Sequence, residues 1–383
     1  MATVNQIYEL VNTISKQALG ESAIEVVNTS TLVSLGESVI SSTKNVNAWC
    51  KSLIDRIGGT LVSNKAYTAK RRKIFRNALE YGIILQKIYT DIPDAVENQS
   101  WVTTESDRKS PFELNLPNVR QYLFTGQNDF EFPVTIPDFQ LKSAFSGAGA
   151  MGSFVESIMT SLANAMELAM ENMDNLAVAT LISKKIKGAT AHPNGAVNLL
   201  DLYNTATNAS LTVANCLKDR EFLRFASMTI NMCTKRMEKM TTVYNNSDAV
   251  NGKKVMRATS REDLVLDCLQ DFATASKFYL ESDTYHKDIV SLPNYTEVPY
   301  WQGSGESYAF EDVSSVFVED ETAVTGVLAV AYDINAVATT LENRYTATVR
   351  NDRGHYTNYF EQGDINYLVD LSENAVVFYV ANA

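Results

Sequence analysis

An α+β subunit built around one very long helix is predicted by three stretches of the sequence. Residues 153–187 carry Phe154, Ile158, Leu162, Met166, Ala169, Met173, Ala177 and Leu181 at every third or fourth position, the period of an amphipathic helix. Residues 128–137 alternate, with Phe130, Phe132, Val134 and Ile136 on one face, as a half-buried strand does. The C-terminal section repeats that alternation through Tyr345, Ala347 and Val349, then Ile365, Tyr367, Val369 and Leu371, before an apolar run from Ala375 to Val380. A helix over 153–187 is on the order of 50 Å long at 1.5 Å per residue. The molecule it belongs to is therefore elongated.

Taken in order, the elements begin with a helix over 3–18, where Val4, Ile7, Val11 and Ile14 form a narrow apolar stripe. The following Ser-, Thr- and Asn-rich residues have only short apolar runs, so the opening section reads as an arm that depends on a partner surface. Gly58 and Gly59 interrupt the helical pattern. A basic stretch from Lys65 to Arg76 follows, and Tyr81, Ile83, Leu85 and Ile88 bring back apolar character. A segment this long exceeds ordinary loops, and an extended two-stranded excursion fits it. Pro133 cannot donate to a ladder, which favours an edge strand for 128–137. Ser153 and Glu156 have the spacing of a capping box at the start of the long helix. Lys184, Lys185 and Lys187 suit its C-terminal dipole, and Gly188 ends it. Beyond it, 219–242 reads as helix, and Asp263–Cys268 and Thr325–Tyr332 as buried strands.

Composition narrows the function classes. The chain has 383 residues, 45% of them hydrophobic, and a net charge of −12 from 33 basic and 45 acidic side chains. That length suffices for a core without disulfide or metal staples. The acidic balance argues against a dedicated nucleic-acid binder. Cys50, Cys216, Cys233 and Cys268 lie far apart, without C-x-x-C spacing, and read as reduced thiols in a cytoplasmic setting. The N-terminus has no basic and apolar signal segment. No stretch approaches the roughly 18 uninterrupted apolar residues of a membrane span.

Catalytic and binding motifs are sparse. His192, His286 and His355 each stand alone, so neither a metal site nor a His-based triad is indicated. Gly147, Gly149 and Gly152 match G-x-G-x-x-G at a helix start, the pattern of a dinucleotide-binding oxidoreductase. However, no buried parallel strand precedes them, and Glu171 and Asp174 lie inside the helix. The glycines read better as a sharp bend into the helix. Gly303-Ser-Gly305 is not a nucleophile elbow, and Glu311, Asp312, Glu319, Asp320 and Glu321 lack calcium-loop spacing. We expect no catalytic, cofactor-binding or metal residues, and no enzymatic activity. Lys70, Arg71, Arg72 and Lys73, with Arg76, fall at the tip of the excursion. Contact with acidic side chains of a neighbouring subunit explains this basic run better than contact with phosphate.

Several blocks, in order across most of the chain, resemble the major capsid proteins of tailed bacteriophages, nearest to the small short-tailed phages of the phi-29 type. They are Ser52–Gly58, Lys87–Ile92, Leu116–Val119, Leu141–Phe145, Phe154–Ile158 and Thr348–Phe360. The resemblance implies the Hong Kong 97-type fold, with an N-arm at 1–58 and an E-loop at 59–90 that lies over the adjacent subunit. It further implies a P-domain with its spine helix at 91–187, an A-domain at 188–335, and a return to the P-domain with C-terminal strands at 336–383. It also implies pentamers and hexamers in an icosahedral shell around double-stranded DNA, held without sequence-specific binding. A separate scaffolding protein and a portal are the expected partners, with assembly in the host cytoplasm and residence in the virion. Within these 383 residues the immunoglobulin-like domain that some relatives carry after the capsid fold is not expected. An encapsulin-like compartment shell is the alternative reading, with a dinucleotide-binding oxidoreductase as the alternative from another class.

Overall fold

The computed structural model describes residues 4–20, 22–61, 75–76, 84–90, 92, 119–125, 129–247, 254–281, 295–302, 309–317 and 323–382. Three helices open the chain: α1 (Val4–Leu19), α2 (Thr29–Ile40) and α3 (Thr43–Leu61). Asn28 caps α2 through a reciprocal pair, its side chain accepting from the Thr31 amide at 2.9 Å and its amide donating to the Thr31 hydroxyl at 3.1 Å. Their apolar stripes converge within the chain itself. Ile7, Val11 and Ile14 of α1 are buried with Leu32, Leu35 and Val39 of α2 and with Trp49 of α3. The Trp49 indole donates to Ser15 at 3.1 Å, and its ring centroid lies 5.1 Å from that of Phe145. This differs from an arm that needs a partner to bury its apolar side. Each stripe is narrow alone, but three narrow stripes meeting a fourth helix enclose a core.

A second difference concerns Gly58 and Gly59, which lie inside α3. A glycine costs a helix only about 1 kcal/mol relative to alanine, too little to end one whose earlier turns bury Trp49, Cys50 and Leu53.

The next elements are β1 (Phe75–Arg76), β2 (Ile84–Thr90), β3 (Val119–Thr125), β4 (Asp129–Pro137), α4 (Asp138–Ala144) and α5 (Ala148–Lys187). At 40 residues α5 spans about 60 Å. It starts five residues before Ser153, so the expected capping box lies inside the helix, and the N-cap residue Gly147 makes no side-chain cap. Gly149 and Gly152 are therefore helical, preceded by helix α4 and not by a strand. This geometry overturns the dinucleotide reading. A Cβ on Gly152 would lie 2.8 Å from Ile7 Cδ1, so the glycine serves the close approach of α1 to α5.

The remaining elements are β5 (Ala196–Asn198), α6 (Leu199–Thr207), α7 (Val213–Cys216), α8 (Arg220–Met237), β6 (Leu264–Leu269), α9 (Gln270–Glu281), β7 (Thr296–Val298), α10 (Phe310–Val313), β8 (Val327–Asp333), β9 (Val337–Asn351), β10 (Tyr356–Val369) and β11 (Ala375–Tyr379). The described strands form three sheets, ordered β1-β9-β10-β4, β5-β11-β8-β6-β7 and β2-β3. Strand β4 lies at an edge, as Pro133 requires, with Pro133 opposite Phe360. In the five-stranded sheet β8 is central and buried at every position.

Among the described residues two large apolar cores result. One gathers α1–α4 against Met151, Val155, Ile158, Leu162 and Met166 of α5. The other surrounds the five-stranded sheet with α8, α9 and Ala177, Val178, Leu181 and Ile182 of the same helix. Between them Met170 and Met173 pack with Ile365 of β10. Helix α5 thus runs through both cores and joins them.

Candidate functional site

Among the described residues, those singled out in the sequence do not converge on a chemical centre. Lys70, Arg71, Arg72 and Lys73 lie outside the described residues. Arg76 is in β1, its backbone pairing in parallel with Thr340 of β9. His192 follows α5, His355 sits at the β9–β10 turn with φ 51°, and His286 lies outside the described residues. Gly303, Gly305, Glu319, Asp320 and Glu321 also lie outside them, while Glu311 and Asp312 are in α10. Among the described residues no three His, Cys, Asp or Glu side chains are placed to hold a metal ion, and no helix is long and apolar enough to cross a membrane. The four cysteines are buried and unpaired with one another. Burial pushes the Cys50 thiol up to about 12 and that of Cys216 up to about 11, which removes thiolate reactivity at neutral pH.

What the fold does bring together is a polar junction between hairpin β2–β3 and the turn that joins β10 to β11. The strands pair antiparallel from Ile84 opposite Thr125 to Thr90 opposite Val119. Because side chains alternate along a strand, Lys87, Tyr89, Arg120 and Tyr122 share the side facing the body. Ile88, Thr90, Val119 and Gln121 face away, exposed. Tyr89 and Tyr122 meet edge to face at 5.4 Å.

At the junction Lys87 Nζ donates to Asp370 Oδ2 at 2.7 Å and to the Asn335 carbonyl at 2.8 Å. The Tyr89 hydroxyl donates to the same Oδ2 at 2.6 Å and lies 3.3 Å from Glu373 Oε1. Asp370 Oδ1 accepts from the Ser372 amide at 2.9 Å and hydroxyl at 2.6 Å. Arg257 lies over the Tyr89 ring at 3.9 Å, with Nε 3.2 Å from Glu373 Oε2, an ion-pair contact without hydrogen-bond alignment. Burial opposes ionisation of Asp370, yet Lys87, Ser372 and Tyr89 outweigh it and hold its carboxyl below the usual range. Glu373 goes the other way: burial raises it despite Arg257 and Lys87. Burial, then the hydrogen bond to Asp370, pushes the Tyr89 phenol far up, so it remains a donor.

A second tie fixes the β9–β10 hairpin to the helical core. Arg350 grips Asp138 with two parallel hydrogen bonds of 2.7 and 2.6 Å, and Thr357 donates to Asn47 of α3 at 3.0 Å. The Arg350 hydrogen bonds hold the Asp138 carboxyl below the usual range. At the far end of α5 the fully buried Lys185 donates to the Tyr244 carbonyl at 2.9 Å and Asn246 Oδ1 at 3.0 Å. Burial pulls its ammonium down to about 7.

Sequence reasoning missed Lys87, Tyr89, Arg257, Asp370 and Glu373. Their one local signal is the i, i+2 spacing of Lys87 and Tyr89 inside an otherwise apolar strand, which sets both on one face. Their carboxylate partners Asp370 and Glu373 lie more than 280 residues away, beyond any local pattern.

Among the described residues these ties join strands and helices that lie far apart in the sequence. The model of the family described as Phi29-like phage major capsid protein matches residues 11–379. The major capsid protein of Bacillus phage PZA is 24% identical over 335 residues, which is 87% of this chain and 63% of that protein. That of Bacillus phage GA-1 is 27% identical over 140 residues, 37% of this chain and 29% of that one. The chain thus spans less than two thirds of the length of these relatives. Among solved structures, a chain of the Staphylococcus phage Andhra capsid superposes with a TM-score of 0.56 at 10% identity, covering 84% of this chain and 86% of that one. The likeness establishes the fold, the α+β Hong Kong 97-type architecture of tailed-phage capsids.

Proposed function

The chain belongs to the Phi29-like phage major capsid protein family, and from that premise we propose that it is the subunit of an icosahedral phage head. Copies of it assemble as pentamers and hexamers into a closed shell around double-stranded DNA. The observation that carries this reading is the family match over 11–379, joined to a subunit in which one 40-residue helix links two cores. A shell subunit must transmit force between neighbours, and a continuous helix packed at both ends does so without a hinge.

The sequence segments take roles on this reading. Residues 1–58 are the N-arm, whose described helices share a core with the chain's own long helix. The E-loop begins at 59, and because β2 pairs with β3 we extend it from 90 through Thr125. The P-domain contains α5 and the β9–β10–β4 sheet. The A-domain is the five-stranded sheet with its helices, to which we reassign β11 from the expected 336–383 return because it pairs with β5 and β8. Lys70, Arg71, Arg72, Lys73 and Arg76 contact the neighbouring subunit. A net charge of −12 lets a wall enclose DNA without gripping it. A separate scaffolding protein and a portal complete the head, which is made in the host cytoplasm and matures as the virion capsid. The family match favours this reading over a compartment shell that holds enzymes.

Sedimentation of the chain co-expressed with the scaffolding protein of its genome tests the proposal. Assembly predicts a fast particle peak. A chain that remains a monomer or dimer under all such conditions contradicts it.

A further inference from the structure

The hairpin β2–β3 is a sheet of its own. Beyond their mutual pairing, neither strand shares extensive backbone proximity with another described element. Yet one side of the hairpin is half-buried to buried, while Ile88 and Val119 on the other are each 61% exposed. Among its described side chains, Lys87 and Tyr89 make polar contacts with the body.

The receiving side is rigid. Asp370 donates its amide to the Ala336 carbonyl at 2.8 Å, and the Leu371 carbonyl accepts from Asn246 at 2.8 Å. Asn374 accepts from Asp333 at 2.9 Å, and Ala375 donates to Tyr244 at 3.0 Å. The turn from 370 to 375 is thus clamped to the second core on three sides. The Asp370 carboxylate is fully occupied, with four donors on its two oxygens. Its side chain is 2% exposed and that of Lys87 16%. Removing one partner of a buried, hydrogen-bonded ion pair leaves the other uncompensated. Loss of the Lys87 charge therefore weakens the attachment most, and loss of the Tyr89 hydroxyl less.

We propose that Lys87 and Tyr89, seated on Asp370 and Glu373, form a latch that fixes the angle at which hairpin β2–β3 leaves the body and so positions it for contact with a second copy of this chain. They are positioning residues for assembly. Arg257, stacked on Tyr89 and facing Glu373, holds the latch from the opposite side. The inference rests on the shell reading above for its second half, whereas the latch itself is a property of the subunit.

Two measurements test the halves separately. The first is amide hydrogen exchange on the soluble subunit, comparing Lys87→Met, Tyr89→Phe and Lys87→Arg with the parent chain. Loss of charge-assisted bonds predicts exchange at least about tenfold faster across 84–90 and 119–125 in Lys87→Met. Buried strand β8 should keep its protection in all variants, Tyr89→Phe should show a smaller change in the same direction, and Lys87→Arg should stay near the parent. Should Lys87→Met fail to fold, Tyr89→Phe decides the matter, because it removes only one hydroxyl. Hairpin exchange unchanged in both Lys87→Met and Tyr89→Phe, or β8 loosening equally, overturns the latch. The second measurement is electron microscopy of particles formed by the same variants. Malformed or open shells from Lys87→Met and closed shells from Lys87→Arg are expected. A loosened hairpin with normal shells overturns the role in assembly. If the parent chain itself forms no shells, the shell reading fails, and the exchange result still stands or falls alone.

Discussion

Lys185 is buried completely, and carbonyl oxygens, not a carboxylate, hold its ammonium. Burial disfavours the charged form, so the folded chain releases this proton near pH 7, against a usual value of 10.5. Between those values the unfolded chain binds more protons, and stability rises with pH by up to about 1.4 kcal/mol per unit from this group. Below pH 7 both states hold the proton, and the dependence ends. Urea unfolding of the chain and of Lys185→Met, compared from pH 6 upward, should therefore show curves that run parallel below about pH 7. Above it the difference should move in favour of the parent chain. Curves parallel throughout would contradict the assignment. In the sequence Lys185 read as one of three cations suited to a helix terminus. The fold instead closes Tyr244 and Asn246 over it, and that enclosure comes from residues about sixty positions away.

At the scale of elements, the long helix, the edge strand with Pro133 and the buried β6, β8 and β11 were legible, because each announces itself by periodicity within one window. The helix start was not. Ser153 and Glu156 have capping-box spacing, but α5 gains more by continuing back to Ala148, where Ala148 and Met151 are buried. The three-helix arm was equally hidden, since its core exists only when separate stripes meet. Pairing of β2 with β3 bridges the intervening 91–118, which no local pattern reports. One glycine decides an element junction. Gly326 has φ +83°, and a Cβ there would lie 2.1 Å from the Val380 carbonyl oxygen, to whose residue it also offers its own carbonyl at 2.8 Å. Alanine at 326 combines backbone strain with a backbone clash, so Gly326→Ala should cost at least about 2 kcal/mol. A lowered urea midpoint for the subunit checks this, and an unchanged midpoint would refute it.

For the whole molecule, the family was legible from short blocks in a fixed order along the chain. The sequence offers the charge run Lys70, Arg71, Arg72 and Lys73 as a candidate contact with a neighbour, and it lies outside the described residues. If that run contacts acidic groups of the next subunit, changing all four to Glu should abolish particle formation while leaving the subunit's unfolding transition in place. Normal shells from that variant would remove the run from the interface. The most direct test of the account is cryo-electron microscopy of the chain co-expressed with its scaffolding protein. Closed icosahedral particles, with α5 resolved in every subunit and hairpin β2–β3 lying on an adjacent copy, are the predicted result. Discrete monomers or dimers, or particles whose hairpin contacts only its own subunit, would contradict it.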